Sequence, residues 1–178
     1  MLKRRRKTVA EEILVLMAVW DDETQKELSE IYTELTKEGF KGKQTSDIPY
    51  HISMSTYTLD KEAEAVELMK KIAEEHAPVE VDISHLGLFA GGNILFAAPD
   101  KNAELDKLHD ACDLGVAQAF SWTPHTTILI DDAEVVQDAL PTVIRTFKSR
   151  IGTITKLQLC AFWPTREILT VELKGHTT

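Results

Sequence analysis

Cysteine is nearly missing from this chain: Cys112 and Cys160 are the only two in 178 residues. Two are too few for a disulfide framework and lack Cys-x-x-Cys spacing, so a reducing cytoplasm is the expected home. Long apolar runs are missing as well. The longest clean one, Ile13–Trp20, is far shorter than the roughly 18 to 20 residues of a bilayer span, so neither a transmembrane helix nor a membrane partner is expected. Positive charge is in deficit, with 20 Lys and Arg against 29 Asp and Glu and a formal net charge of −9. That balance argues against long double-stranded nucleic acid, whose affinity rests on cations neutralising phosphates, while small or terminal nucleic-acid substrates stay open. The single basic run, Lys3 to Lys7, precedes Glu11 and Glu12 and is followed by no small-residue cleavage site, so residues 1–10 read as a solvated tail. What remains is ordinary: 43% hydrophobic and 28% charged residues suit one globular domain, 1–178, of two lobes with a sizeable core, a monomer.

Apolar periodicity switches between two and 3.6 along the whole length, so strands and helices interleave in an α+β chain. Strands are expected at 13–20, 50–58, 79–89, 93–98, 125–130, 154–163 and 167–173. Helices are expected at about 22–39, 60–76, 100–115 and up to 147, with Pro141 kinking or restarting the last. Gly91-Gly92 suits a hairpin turn between the third and fourth strands. The second half repeats the order of the first. His51 and His125 set an offset of 74, which also aligns Ser53 with Thr127, Leu88 with Phe162, Phe89 with Trp163, Ile94 with Ile168 and Leu95 with Leu169. Two pseudo-symmetric lobes follow, each an antiparallel sheet flanked by helices, with a cleft between them.

The chemistry-bearing feature is the pair His51-Ile52-Ser53-Met54 and His125-Thr126-Thr127-Ile128. Strand residues two apart share a face, so each histidine stands beside a hydroxyl while the intervening apolar residues turn to the helix layer. Two imidazoles that titrate near neutrality can divide the work, one taking a proton and one giving it. The hydroxyls can meet charge on non-bridging oxygens, and the set answers the needs of phosphodiester cleavage without a metal. His176-Thr177-Thr178 has the same spacing but no following apolar residue, helix or hairpin, and is a decoy.

These paired motifs resemble the two-histidine (2H) phosphoesterases, which include the 2′-5′ RNA ligase-like proteins and cyclic nucleotide phosphodiesterases. Leu86-Gly87-Leu88-Phe89 with Asn93-Ile94-Leu95-Phe96-Ala97 is similar to the family's hairpin after the first motif. The resemblance implies a bilobal fold with a central cleft, His51 and His125 as acid and base, and Ser53 and Thr127 on the phosphate. It also implies no cofactor, no metal, and hydrolysis of 2′,3′-cyclic phosphates or 2′-5′ linked nucleotides or RNA ends. RNA end ligation, the reverse direction, and a non-catalytic nucleotide- or RNA-end-binding module are the alternatives. Phe89 and Trp163 are candidates to stack on a base, and Arg166, Lys41, Lys43 and Gln44 could reach a phosphate, against plain core or surface roles for each. His76, His85 and His109 sit singly, and Cys112 and Cys160 read as packing residues.

Overall fold

The computed structural model describes residues 13–119 and 121–175. The basic tail and the terminal His-Thr-Thr lie outside these. Chain order is β1 (Ile13–Trp20), α1 (Asp22–Lys37), β2 (His51–Thr58), α2 (Glu62–Glu75), β3 (Val79–Leu88), β4 (Ile94–Pro99), α3 (Ala103–Ala111), β5 (Thr126–Ile130), α4 (Ala133–Thr146), β6 (Arg150–Phe162) and β7 (Arg166–Glu172). Asp21 caps α1 by accepting from Thr24 N at 2.7 Å, and Asn102 caps α3 from Leu105 N at 2.8 Å. Pro141 neither restarts nor divides α4, which continues through it to Thr146. Its ring lies on the solvent side, where one missing N–H is tolerated while Val136, Ala139 and Val143 hold the other face in the core.

The strands form one sheet in the order β2-β1-β6-β3-β4-β5, all neighbours antiparallel, with β7 alongside the C-terminal half of β6. The two lobes are therefore halves of a continuous sheet. Each half of the chain also lends a strand to the other lobe: β3 pairs with β4, and β6 pairs with β1. Buried residues of all four helices join one cluster with Leu14, Leu16, Ile52, Ile83, Leu95 and Leu157. Among the described residues the other face carries a small cluster of Met17, Cys160 and Phe162, leaving it open for a site.

Strand pairing locates the symmetry. Val79 faces Ile154 and Ile83 faces Arg150, so a pseudo-twofold axis passes through the pair Val81–Gly152. Glycine is needed at that crossing, since a Cβ on residue 152 would lie 2.9 Å from Ile83 Cδ1 and 3.1 Å from Thr24. Irregularities repeat across the axis. The β1–β2 register slips between Leu16 and Met17, and the β4–β5 register slips between Leu95 and Phe96. A second slip, between Val19 and Trp20 against β6, answers one at Ala98 and Pro99 against β3. Bulges at matching places are hard to obtain except from two copies of one unit.

The uniform offset of 74 is corrected by this register. It holds for β2 and β5, but Leu16 corresponds to Leu95 (79 apart) and Ile83 to Ile154 (71 apart). The counterpart of Leu88 is then Leu159 instead of Phe162, and that of Phe89 is Cys160 instead of Trp163. Ile94 and Leu95 answer to Val15 and Leu16, and β7 has no symmetry counterpart among the described residues. The reason is local: α1 has 16 residues where α3 has 9, so insertions between strands shift the spacing while the pairing keeps its geometry.

Candidate active site

His51 opens β2 and His125 immediately precedes β5. His51 and Ser53 are half-buried, while Ile52 and Met54 between and after them are at 0% and 2% exposure. Around the second motif His125 and Thr127 are half-buried, whereas Thr126 and Ile128 are buried in the helix-side core. Alternation thus presents two imidazoles and two hydroxyls to the open face.

Both imidazoles are held alike. His51 Nδ1 is 2.7 Å from the carbonyl of Pro49, and His125 Nδ1 is 2.7 Å from the carbonyl of Thr123. A carbonyl only accepts, so Nδ1 carries the hydrogen and the lone pair of each neutral ring is on Nε2. Neither Nε2, Ser53 Oγ nor Thr127 Oγ1 has a hydrogen bond among the described residues. Four chemically able groups stand uncommitted on one face.

The two motif strands are tied directly. Thr126 Oγ1 donates to the carbonyl of His51 at 3.1 Å and accepts from Trp20 Nε1 at 2.8 Å. Trp122 Nε1 donates to the carbonyl of Ser53 at 3.0 Å. Gln25 of α1 clamps the entry to β2, its Nε2 donating to Tyr50 O at 2.7 Å and its Oε1 accepting from Tyr50 N at 2.9 Å. Backbone position at both histidines is therefore set by side chains remote in sequence.

The surroundings of the histidines differ. Burial holds His51 below the usual imidazole range, and the charge of His125 pushes the same way, opposed by the bond to Pro49. His125 instead lies against aromatic rings, Phe89 edge-on at 4.8 Å and Phe96 at 5.3 Å, with the two rings 4.6 Å from each other. The two rings form an apolar wall beside this imidazole.

Comparison with known sequences and folds now bears on this geometry. Residues 20–161 match the 2′-5′ RNA ligase superfamily. The chain belongs to that superfamily. The family span contains both histidine motifs and every strand from β2 through β5. Among solved structures, this superfamily member is similar to Escherichia coli LigT crystallised with 3′-AMP, at 14% identity and TM-score 0.63, covering 92% of this chain and 98% of LigT. It is similar also to TT0787 of Thermus thermophilus, at 14% identity and TM-score 0.65, covering 93% and 100% of the two chains. These likenesses establish the LigT-like α+β fold. A comparison with curated proteins finds no match.

The remaining candidates of this superfamily member fall elsewhere. Trp163, 58% exposed, sits in the β6–β7 turn with its ring 5.5 Å from Phe162. Arg166, opening β7, donates to Glu62 at the start of α2 at 2.7 Å. Lys43 pairs with Asp131 and Asp132 at 2.9 and 2.7 Å, and Gln44 Oε1 accepts from Ile130 N at 3.2 Å, so the segment before β2 is fastened to the end of β5. His85 meets Asp100 at 3.0 Å, and His109 stacks on Trp122 at 3.8 Å. No group of three or more His, Cys, Asp or Glu able to hold a metal occurs among the described residues. Cys112 and Cys160 are both free thiols in buried positions. Sequence reasoning missed Gln25, Thr126, Trp122 and Phe96. Phe96 alone left a signal, standing in the Asn93-Ile94-Leu95-Phe96-Ala97 strand of the hairpin already singled out.

Proposed function

We propose that the protein is a metal-independent phosphodiesterase acting on 2′,3′-cyclic phosphates or on 2′-5′ linked nucleotides and RNA ends, with His51 and His125 as general base and acid. The observation that supports it most is the matched pair of Nδ1-anchored imidazoles, each with its Nε2 and a neighbouring hydroxyl uncommitted on the same face. The neutral Nε2 of His51, favoured by burial, takes the proton of an attacking water. His125, packed against Phe89 and Phe96, gives a proton to the leaving oxygen. Attacking and leaving oxygens lie roughly in line at phosphorus, which is why one imidazole on each strand suits the reaction better than two on one. Ser53 and Thr127 donate to the non-bridging oxygens as charge gathers there. Phe89 offers a ring face for a base, and Trp163 and Arg166 at the β6–β7 turn are further contacts for the substrate. That LigT, of the same fold, was crystallised with 3′-AMP and with ATP supports a nucleotide as the ligand.

The test is incubation of chelator-treated protein with a panel of 2′,3′-cyclic nucleotides and short 2′-5′ linked oligomers. Turnover is expected on at least one, undiminished by excess chelator. Binding without turnover would reduce the protein to a nucleotide-holding module, and rescue only by a divalent ion would replace the mechanism with a metal-assisted one.

A further inference from the structure

β2 and β5 are the two outer strands of the sheet, so each has an edge whose backbone N–H and C=O groups meet no further strand. A side-chain amide can stand in for the missing neighbour, because it carries a donor and an acceptor side by side as a peptide unit does. On β2 the amide of Gln118 does so at Thr56. Its Oε1 accepts from Thr56 N at 3.1 Å and from Thr56 Oγ1 at 2.8 Å, while its Nε2 donates to Thr56 O at 3.1 Å and to Val116 O at 2.9 Å. On β5 the edge is met at Ile130, whose N–H donates to Gln44 Oε1 at 3.2 Å and whose carbonyl accepts from Lys43 N at 2.6 Å. Residue 42 has to be glycine for this, since a Cβ there would lie 2.0 Å from Gln44 Oε1.

These are one contact made twice. Gln44 and Gln118 are 74 residues apart, and so are Thr56 and Ile130, which is the offset that joins β2 to β5. Each glutamine precedes its own histidine by seven residues, and the N–H it accepts lies five residues beyond the other histidine. The segments that lead into the motifs are thus exchanged between the lobes. Gln118 is exposed and Gln44 half-buried, so core packing does not explain the recurrence.

What hangs on these segments is the orientation of the imidazoles. The carbonyls that fix the two Nδ1 atoms belong to Pro49 and Thr123, each of which lies between a glutamine and its histidine. β2 and β5 are held from their other edges by β1 and β4, whereas the anchoring carbonyls sit in the segments that the amides tie down. The ties are unequal. Without the Gln44 amide the first segment would keep the Lys43 N bond and the pairs of Lys43 with Asp131 and Asp132. Without the Gln118 amide the second would lose both of its links to Thr56 and keep that of Trp122 to Ser53 O.

We propose that Gln44 and Gln118 are positioning residues that form a reciprocal clasp: each holds the segment carrying one imidazole's Nδ1 anchor against the motif strand of the opposite lobe, so that the aim of each Nε2 depends on both lobes. The consequence for turnover rests on the acid-base reading given above, and the clasp itself does not.

The experiment is nitrogen-15 NMR of the full chain at pH 8, reading histidine tautomers and amide exchange, with neither needing turnover. Wild type should carry the ring hydrogen on Nδ1 at both His51 and His125 and exchange the Thr56 and Ile130 amides slowly. Gln118→Ala should speed exchange at Thr56 at least about tenfold and shift His125 toward the Nε2–H form, leaving His51 as it was. Gln44→Ala should do the same at Ile130 and His51, more weakly because Lys43 stays in place. Gln118→Glu keeps the acceptor and loses both donors, and should recover part of the Nδ1–H population of His125. On a cyclic nucleotide the effect of Gln118→Ala should fall on kcat, lowered about tenfold, with KM within about twofold of wild type. A Thr56 amide that exchanges freely in wild type would overturn the proposal. So would a His125 ring that keeps its Nδ1 hydrogen in folded Gln118→Ala, or a kcat for that variant within twofold of wild type. If wild type turns over no cyclic nucleotide, the phosphodiesterase reading falls, and the ring and exchange results decide the clasp by themselves.

Discussion

The two lobes present the same four groups and surround them oppositely. Around His125 the face is dry and aromatic, closed by Phe96 over Gly87 and by Phe89. Around His51 it is half polar, with Met17 and Cys160 giving way to Gln158 and Glu167. The motif residues themselves barely differ: Nδ1 bonds to the carbonyl two residues earlier at 2.7 Å in both lobes, and the bulge falls at the same rung. In the proposed reaction phosphate is a nearly symmetric object seen from its two sides, so matching acid-base groups would meet it from both strands. The groups attached to that phosphate are not alike, and the positions one row further out are where the lobes diverge. Symmetry in this molecule is kept at the rung of the motif residues and abandoned one row further out.

The harshest way to break the comparison is to remove one imidazole at a time. General acid or base assistance is typically worth about 10² to 10⁴ in rate, so His51→Ala and His125→Ala should each lose about 3 to 5 kcal/mol of transition-state stabilisation. Steady-state turnover of the best cyclic nucleotide measures it. The two losses should be similar despite the unlike surroundings, and the double variant should be little worse than either single one, because groups acting as a unit are not additive. A folded single variant that keeps a tenth of wild-type kcat would remove that histidine from the reaction.

How much of this was legible in the sequence follows from what each signal encodes. A continuous apolar run placed β1, Ile13–Trp20, and alternation about the histidine motifs placed β2, His51–Thr58, and β5, Thr126–Ile130, each to within a residue. His51 and Ser53 on one face required only that same period. The crossing of β3 and β6 into the opposite lobes left no local trace, since period-two patterns fix a face and say nothing of a distant neighbour. The slip of the offset from 74 to 79 and 71 was hidden for a related reason: pairing of strands, and not spacing along the chain, defines which residues correspond. Thr126 was invisible because it looks like a spacer between His125 and Thr127. Its worth lies in a hydrogen bond to a residue 75 positions away.

Gly87→Ala attacks the aromatic lobe alone. The new methyl would sit 2.4 Å from Phe96, a ring with Thr127 and His125 beyond it, so the ring must tilt toward the histidine. Overpacking of this kind costs about 1 to 3 kcal/mol, readable as a lowered urea midpoint. Turnover should fall with it, since His125 is displaced. An unchanged midpoint would mean that the ring is not confined. The polar lobe has no equivalent weak point, its position 158 already carrying a side chain.

Thr126→Val is expected to cost somewhat less, about 1 to 2 kcal/mol, because valine keeps the volume and the lost bonds are between neutral groups. The cost arises from Trp20 Nε1, at 1% exposure, left without an acceptor, and from the freed carbonyl of His51. Thr126→Ser should restore the hydroxyl bonds and lose only a methyl. Ile52 occupies the equivalent position in the other motif and has no polar duty, so Ile52→Val should show no more than an ordinary methyl deletion, about 0.5 to 1.5 kcal/mol. Denaturant unfolding of the three variants decides whether the joint between the lobes is carried from one side only.

The smallest effect expected is a pH dependence of stability that belongs to one lobe. Burial lowers the folded-state value of His51 beneath the unfolded imidazole value of about 6.5, and the nearby His125 charge lowers it further. Below about pH 6.5 the unfolded chain therefore takes up a proton that the folded protein refuses at this position. The contribution of His51 is complete above that pH and is lost as the pH falls through the folded value, so acid destabilises. Other histidines and carboxylates titrate in the same range, and the useful quantity is a difference. Wild-type unfolding free energy minus that of His51→Asn, followed from pH 8 to pH 5, should fall below about pH 6.5 and be flat above it. In a His125→Asn background the repelling charge is gone, so the fall should be shallower and end at a higher pH. Parallel curves for wild type and His51→Asn would show that burial in the first lobe does not bear on this proton, and the asymmetry of the two histidines would then reduce to the rings around His125.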